Sequence, residues 1–219
     1  ARRRHVSAAA LEIAALAPAA FAGAIVYGIT GFGTALVTIP IATHFVSLPF
    51  ALALYVLTDL ANAFRVGFEN PRNAVGAEWT RMVPAILAGT ALGAGLLINL
   101  PRQTATLALG IFVIAFALYS LLSRPGSSRR IGGGWAYPAG FAGGITSTLF
   151  GAGGPPYAMY LSHRGLTKEQ YRATMGLATL SSISMRMIAF LATGFLLEAK
   201  VWLYAIAVIP AGLAGLWAG

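Results

Sequence analysis

Two glycine-rich interruptions hold the residues of this sequence best suited to chemistry: GITGFGT at 28–34 and FGAGGPP at 150–156, each set between apolar runs. Pro155 and Pro156 have no backbone N–H, and Gly153 and Gly154 are free to take positive φ, so an uninterrupted helix through the second stretch is not expected. Helices broken there start afresh with unpaired N–H groups, which suit an anion. The candidate binding set is therefore Thr30, Gly31, Phe32, Gly33 and Thr34 in the first break, and Gly151, Gly153 and Gly154 with Ser147 in the second. Thr30, Thr34, Ser147 and Thr148 add hydroxyls, although serine and threonine also bond carbonyls of their own helix.

Arg186 brings charge to this set. It lies more than halfway along an apolar run beginning near Gln170, where a guanidinium costs about 2.5 to 3.5 kcal/mol on insertion scales. Thr179 and Ser182 share its helix face, and no nearby acidic residue does. Two readings stay open: the guanidinium holds a bound oxyanion in two-point fashion, or it snorkels or pairs with an acid on another helix. Arg65 is its counterpart earlier in the chain, nearer a loop, with Asp59 and Asn62 on the same helix. Asp59 is either a structural partner for an arginine or, with Asn62, a coupling site for H+ or Na+, since carboxylates inside membranes often serve that role.

Other chemistry finds no support. His44 and His163 stand without acidic or cysteine neighbours, which argues against a metal site. There is no GxSxG elbow, HExxH pair or carboxylate cluster, so neither an enzyme nor a cofactor is implied. The absence of cysteine excludes disulfides and thiolate relays.

The elements that must position these residues are membrane helices. Apolar residues make up 58% of the 219, charged ones 10%, and mean hydropathy is +0.75, a balance that belongs in a bilayer. The net charge of +9 could suggest nucleic acid, but the basic residues collect at the N-terminus and at 65–81, 124–130 and 164–172, where they orient a membrane protein. Nucleic acid is thus not an expected partner, and the bilayer is. ARRRH followed by an apolar run reads as the first membrane segment rather than a signal peptide. Polar breaks divide the chain into apolar segments at about 8–30, 32–46, 49–68, 80–99, 103–123, 135–150, 152–162, 170–197 and 201–219. Two of these, each following a glycine break, are too short for ordinary spans.

The chain also resembles itself. Gly31 and Gly33 match Gly151 and Gly153 at an offset of 120, Arg65 matches Arg186, and Pro84, Gly89 and Gly93 match Pro210, Gly215 and Gly219 at an offset of 126. Two homologous helical repeats are expected, at 1–123 and 135–219, joined by a basic loop at 124–134. The expected fold is all-α and integral to the membrane, with a glycine-broken or re-entrant element in each repeat and roughly 8 to 10 membrane segments. Gly219 corresponds to Gly93, so a further helical pass is expected beyond it. Equivalent loops swap their charge character, which points to inverted repeats, while Arg2, Arg3 and Arg4 dissent and leave a parallel arrangement open.

The motif GITGFGTALVTIP leading to Leu48, Pro49 and Ala51, with its echo GITSTLFGAGGPP and the later GLTKEQYRAT, resembles the sulfite exporter TauE/SafE family, also called the sulfonate uptake permease family. The resemblance runs from about residue 14 to 219, and departs at Thr34, where a further glycine is common. It implies a bacterial inner-membrane secondary transporter of sulfite, sulfonates or related anions, coupled to an ion gradient. Rival readings are an anion channel with the same site and a membrane scaffold subunit; homo-oligomerisation is left open.

Overall fold

The fold is described by a computed structural model over residues 2–122 and 130–219, without the side chains of 2–10 and 102. Much of the basic connection expected at 124–134, and the side chains of Arg2, Arg3 and Arg4, lie outside the described residues. The helices are α1 (Arg2–Thr30), α2 (Thr34–Ala42), α3 (Leu48–Gly67), α4 (Gly76–Asn99), α5 (Arg102–Leu122), α6 (Ala136–Phe150), α7 (Gly154–Leu161), α8 (Lys168–Ala192) and α9 (Ala199–Ala218). They follow the nine apolar segments closely. The main difference is that α8 stops at Ala192 rather than near 197, because Gly194 adopts a left-handed φ of 84° that no helix continues through. Its start is set by a capping box between Thr167 and Gln170.

Among the described residues six helices, α1, α3, α4, α5, α8 and α9, are long and apolar enough to cross a bilayer. The protein is an all-helical, multi-pass membrane protein. Exposed leucines and isoleucines on α5, such as Leu107, Ile111 and Ile114, are what a lipid-facing helix presents.

The short helices fold back rather than continue. A Cβ added to Gly23 would stand 2.6 Å from Thr38 Cγ2 and 2.9 Å from the Thr34 carbonyl oxygen, so α2 returns along α1 as a hairpin. Gly143 admits the ring of Tyr157 in the same way, and α7 returns along α6. The first hairpin ends where it began: Glu12 in α1 accepts from Tyr204 of α9 at 2.5 Å, and Tyr204 packs edge-on against Phe50 at the start of α3. At the opposite end of α3, Arg164 just after α7 donates to the Ile131 carbonyl just before α6 and to Glu78 at the start of α4. The two hairpins thus enter the molecule from opposite ends, and their tips meet inside it.

Glycine lets two helix pairs approach closely. Gly89 of α4 lies directly on the Phe141 carbonyl of α6, and Gly215 of α9 on the Phe21 carbonyl of α1; in both places a methyl group would overlap backbone.

Candidate functional site at the helix breaks

Gly31 and Gly151, paired in the sequence, both take positive φ, 79° and 72°. Each ends a helix with a left-handed residue and frees the chain to reverse. Gly33 is also left-handed at 97°, whereas Gly153 is not, at −74°. The helix is interrupted at this stretch as expected, but Gly153 and Gly154 do not use positive φ; what requires glycine there is space. A Cβ on Gly153 would come within 2.9 Å of the Gly143 carbonyl and the Ser147 side chain, and one on Gly154 within 2.5 Å of Phe32. The second break is therefore pressed against both its own hairpin and the first break.

Between the tips is a cavity of about 20 Å³, lined from α1 by Tyr27, from the first break by Phe32, Gly33 and Thr34, from α3 by Asp59, and from α8 by Thr179 and Ser182. The second hairpin closes it with Ser147, Gly151, Gly153, Gly154 and Tyr157. Its size suits one ordered water and is less than a multi-atom oxyanion occupies. Both α2 and α7 begin at its wall, directing the positive ends of two short helices toward it.

Arg186 is 1% exposed beside this cavity. The guanidinium is not unpaired, because the acid its own helix lacks comes from α3: Nη2 donates to Asp59 Oδ2 at 2.7 Å. Nη1 donates to the Ser147 carbonyl at 3.0 Å, so Arg186 also satisfies an acceptor in the last turn of α6, where a cation is favoured. Of the two sequence readings, the interhelical ion pair is the one formed. Several buried polar atoms around the pair have no hydrogen-bond partner among the described residues: Tyr27 Oη, Thr34 Oγ1, Asp59 Oδ1, Thr179 Oγ1 and Arg186 Nε. A buried donor or acceptor left unmade costs about 1 to 3 kcal/mol, so these groups suit a polar occupant of the cavity, whether water or an anion.

The expected residues are gathered unevenly. Phe32, Gly33, Thr34, Asp59, Ser147, Gly151, Gly153, Gly154 and Ser182 share the cavity wall, with Arg186 bonded to two of them. Asn62 is fully buried with its amide unpartnered, but it is not part of the wall. Thr30 and Gly31 shape the turn instead: the Thr30 hydroxyl is 2.8 Å from the Val26 carbonyl oxygen and accepts from the Phe32 N–H at 3.3 Å. Arg65 does not join the site; it is exposed in the last turn of α3. Tyr27 and Tyr157 were missed. The available signal was position, one tyrosine a turn before Gly31 and the other immediately after Pro155 and Pro156.

Fold and site together define a polytopic membrane protein whose polar centre is held between two broken helices. The family model of Sulfite exporter TauE/SafE matches residues 16–219, and the chain belongs to that family of membrane transporters of sulfite-type anions. Comparison with curated proteins and with solved structures gives no significant match.

Proposed function

We propose that the chain is a secondary transporter that carries sulfite and related small sulfur oxyanions across the bacterial inner membrane by alternating access, with the substrate held between the two helix breaks. The observation that carries this reading is the cluster of buried, unpartnered hydroxyls and the Arg186 guanidinium around one cavity where two short helices begin. Hydroxyl donors, backbone N–H groups and a guanidinium are the complement of an oxyanion in low dielectric. A cavity this narrow, the size of one water, favours a carrier over a standing channel. In this form Asp59 and Arg186 neutralise one another; an anion competes for Arg186, and a proton on Asp59 removes its competitor. That gives Asp59 the coupling role, with Asn62 buried one turn away to support it.

Repeat architecture is part of the proposal. Exchanging α1 with α6, α2 with α7, α3 with α8 and α4 with α9 exchanges the α1–α9 contact with the α4–α6 contact, and maps Gly89 on Phe141 onto Gly215 on Phe21. Hairpins entering from opposite ends support inversion. The end bearing Arg65, Arg72, Arg81, Arg164, Lys168 and Arg172 is then the cytoplasmic one.

A thermal-shift titration of purified protein with sulfite tests the site. Wild type is expected to gain about 2.7 kcal/mol at 100 times the dissociation constant, and Arg186→Lys, which keeps the charge but loses the planar fork, to gain measurably less. No stabilisation by any small sulfur oxyanion would refute the substrate assignment.

A further inference from the structure

The halves of the sequence are not the bodies that pack. Helix α1 of the first half lies on α9 of the second, and α6 of the second half on α4 of the first, in both cases through glycines set against backbone carbonyls. Following the contacts outward gives two interlocked bundles, one of α1, α2, α3 and α9, the other of α4, α6, α7 and α8. The polar ties respect this division. Inside the first bundle the Tyr55 hydroxyl donates to the Leu16 carbonyl at 2.8 Å, and Glu12 accepts from Lys200 and Tyr204. Inside the second, Trp79 donates to Ser181 at 3.0 Å, and Glu78 is bonded by Arg164 and Tyr160. Among the described residues one resolved polar tie joins the bundles, and it is the Asp59–Arg186 pair beside the cavity.

The seam between bundles has the form of a joint. Its backbone is α3 along α8, which approach closely where Gly67 faces Gly176 near the basic end. A groove of about 270 Å³ opens on the seam at that end, between Glu69, Asn70, Lys168 and Arg172. At the other end a groove of about 380 Å³ opens between Ser47 and Pro49 of one bundle and Leu97, Ile98 and Phe195 on the other side. The hairpin tips, one from each bundle, face each other across the cavity midway.

We infer that the moving bodies in transport are these two interlocked bundles and not the two sequence repeats, and that protonation of Asp59 unties them. Resting on the transport reading, this makes H+ the coupling ion: the proton that frees Arg186 for the anion also breaks the ion pair that locks the seam. The titratable or charged groups facing Asp59 are Arg186 from α8, Tyr27 from α1, Tyr157 of α7 across the cavity and Tyr55 on its own helix; α2, α5 and α9 contribute none among the described side chains. Asp59 is the carboxylate of the buried tie across the seam, whereas Glu69, Lys168, Glu169 and Arg172 stand exposed in the groove at the basic end.

Because the chain has no cysteine, spin labels can be placed at will. Phe45→Cys with Ile98→Cys lies within one repeat but across the seam; Phe45→Cys with Leu203→Cys lies across the repeats but within one bundle, and all three side chains are exposed. Electron–electron distance measurements in nanodiscs should give a Phe45–Ile98 distribution that shifts between pH 8 and pH 5, while Phe45–Leu203 stays fixed. Asp59→Asn should produce the shifted distribution already at pH 8, which separates Asp59 from His44 and His163. A Phe45–Leu203 shift with Phe45–Ile98 fixed would restore the repeats as moving bodies and overturn the inference, as would immobility of both pairs. A variant that responds to pH as wild type does would remove Asp59 as the trigger. None of these readouts requires a bound anion, so failure of the sulfite assignment would appear separately, in the thermal titration.

Discussion

Arg186 meets a carboxylate on one neighbouring helix and a helix-ending carbonyl on another; the Ser147 carbonyl keeps the Gly151 N–H, so removing Arg186 strands the Asp59 carboxylate in the core. Arg186→Ala should cost about 3 to 5 kcal/mol, the usual penalty for breaking a buried pair from one side, and abolish transport. The double replacement Asp59→Leu with Arg186→Met should restore most of that stability, since apolar pairs of similar volume replace buried ion pairs at little cost, yet remain inactive. Thermal unfolding in detergent beside uptake in proteoliposomes checks both halves; a fully active double variant would reduce the pair to scaffolding. Tyr27→Phe and Tyr157→Phe each remove one hydroxyl from the cavity wall. A hydrogen bond to a charged partner is worth about 1.5 to 3 kcal/mol, so sulfite affinity should fall roughly tenfold to a hundredfold in each, as calorimetry would measure. Unchanged affinity in both would move the anion elsewhere.

At the scale of elements, glycines divide by what surrounds them. Gly89→Ala and Gly215→Ala drive a methyl group into the backbone of the partner helix and should destabilise by about 1 to 3 kcal/mol, whereas Gly95→Ala and Gly110→Ala, with nothing within 4 Å, should not. Gly31→Ala meets open space but a φ of 79°, while Gly151→Ala meets a φ of 72° and also Ala35 at 2.8 Å. The second substitution should therefore cost more, with about 1 to 2 kcal/mol from the left-handed backbone common to both. Thermal midpoints of the six variants test the ordering. These elements were largely legible, because hydropathy and glycine breaks mark where a helix must end, and the nine α-helices among the described residues fall on the apolar runs. The partner of Arg186 was not legible: a helical wheel searches only one helix, and Asp59 lies 127 positions away. Arg65 was misjudged for a related reason, since matching in sequence says nothing of depth, and its place in the last turn of α3 puts it at an exposed end.

On the scale of the molecule, composition placed the chain in a bilayer, and the paired motifs placed it in its family. What could not be read was the interleaving of the halves, because close contacts between α1 and α9 or α4 and α6 arise from helix packing that no local pattern encodes. That interleaving puts the polar centre on a seam, with a carboxylate from one side and a guanidinium from the other. Counterflow of radiolabelled sulfite in proteoliposomes reconstituted with the full chain tests the central claim most directly. The expected result is saturable exchange, accelerated by unlabelled sulfite on the far side and lost in the Asp59→Leu, Arg186→Met variant despite its retained fold. Flux that never saturates, no flux from folded protein, or counterflow that survives in that variant would contradict it.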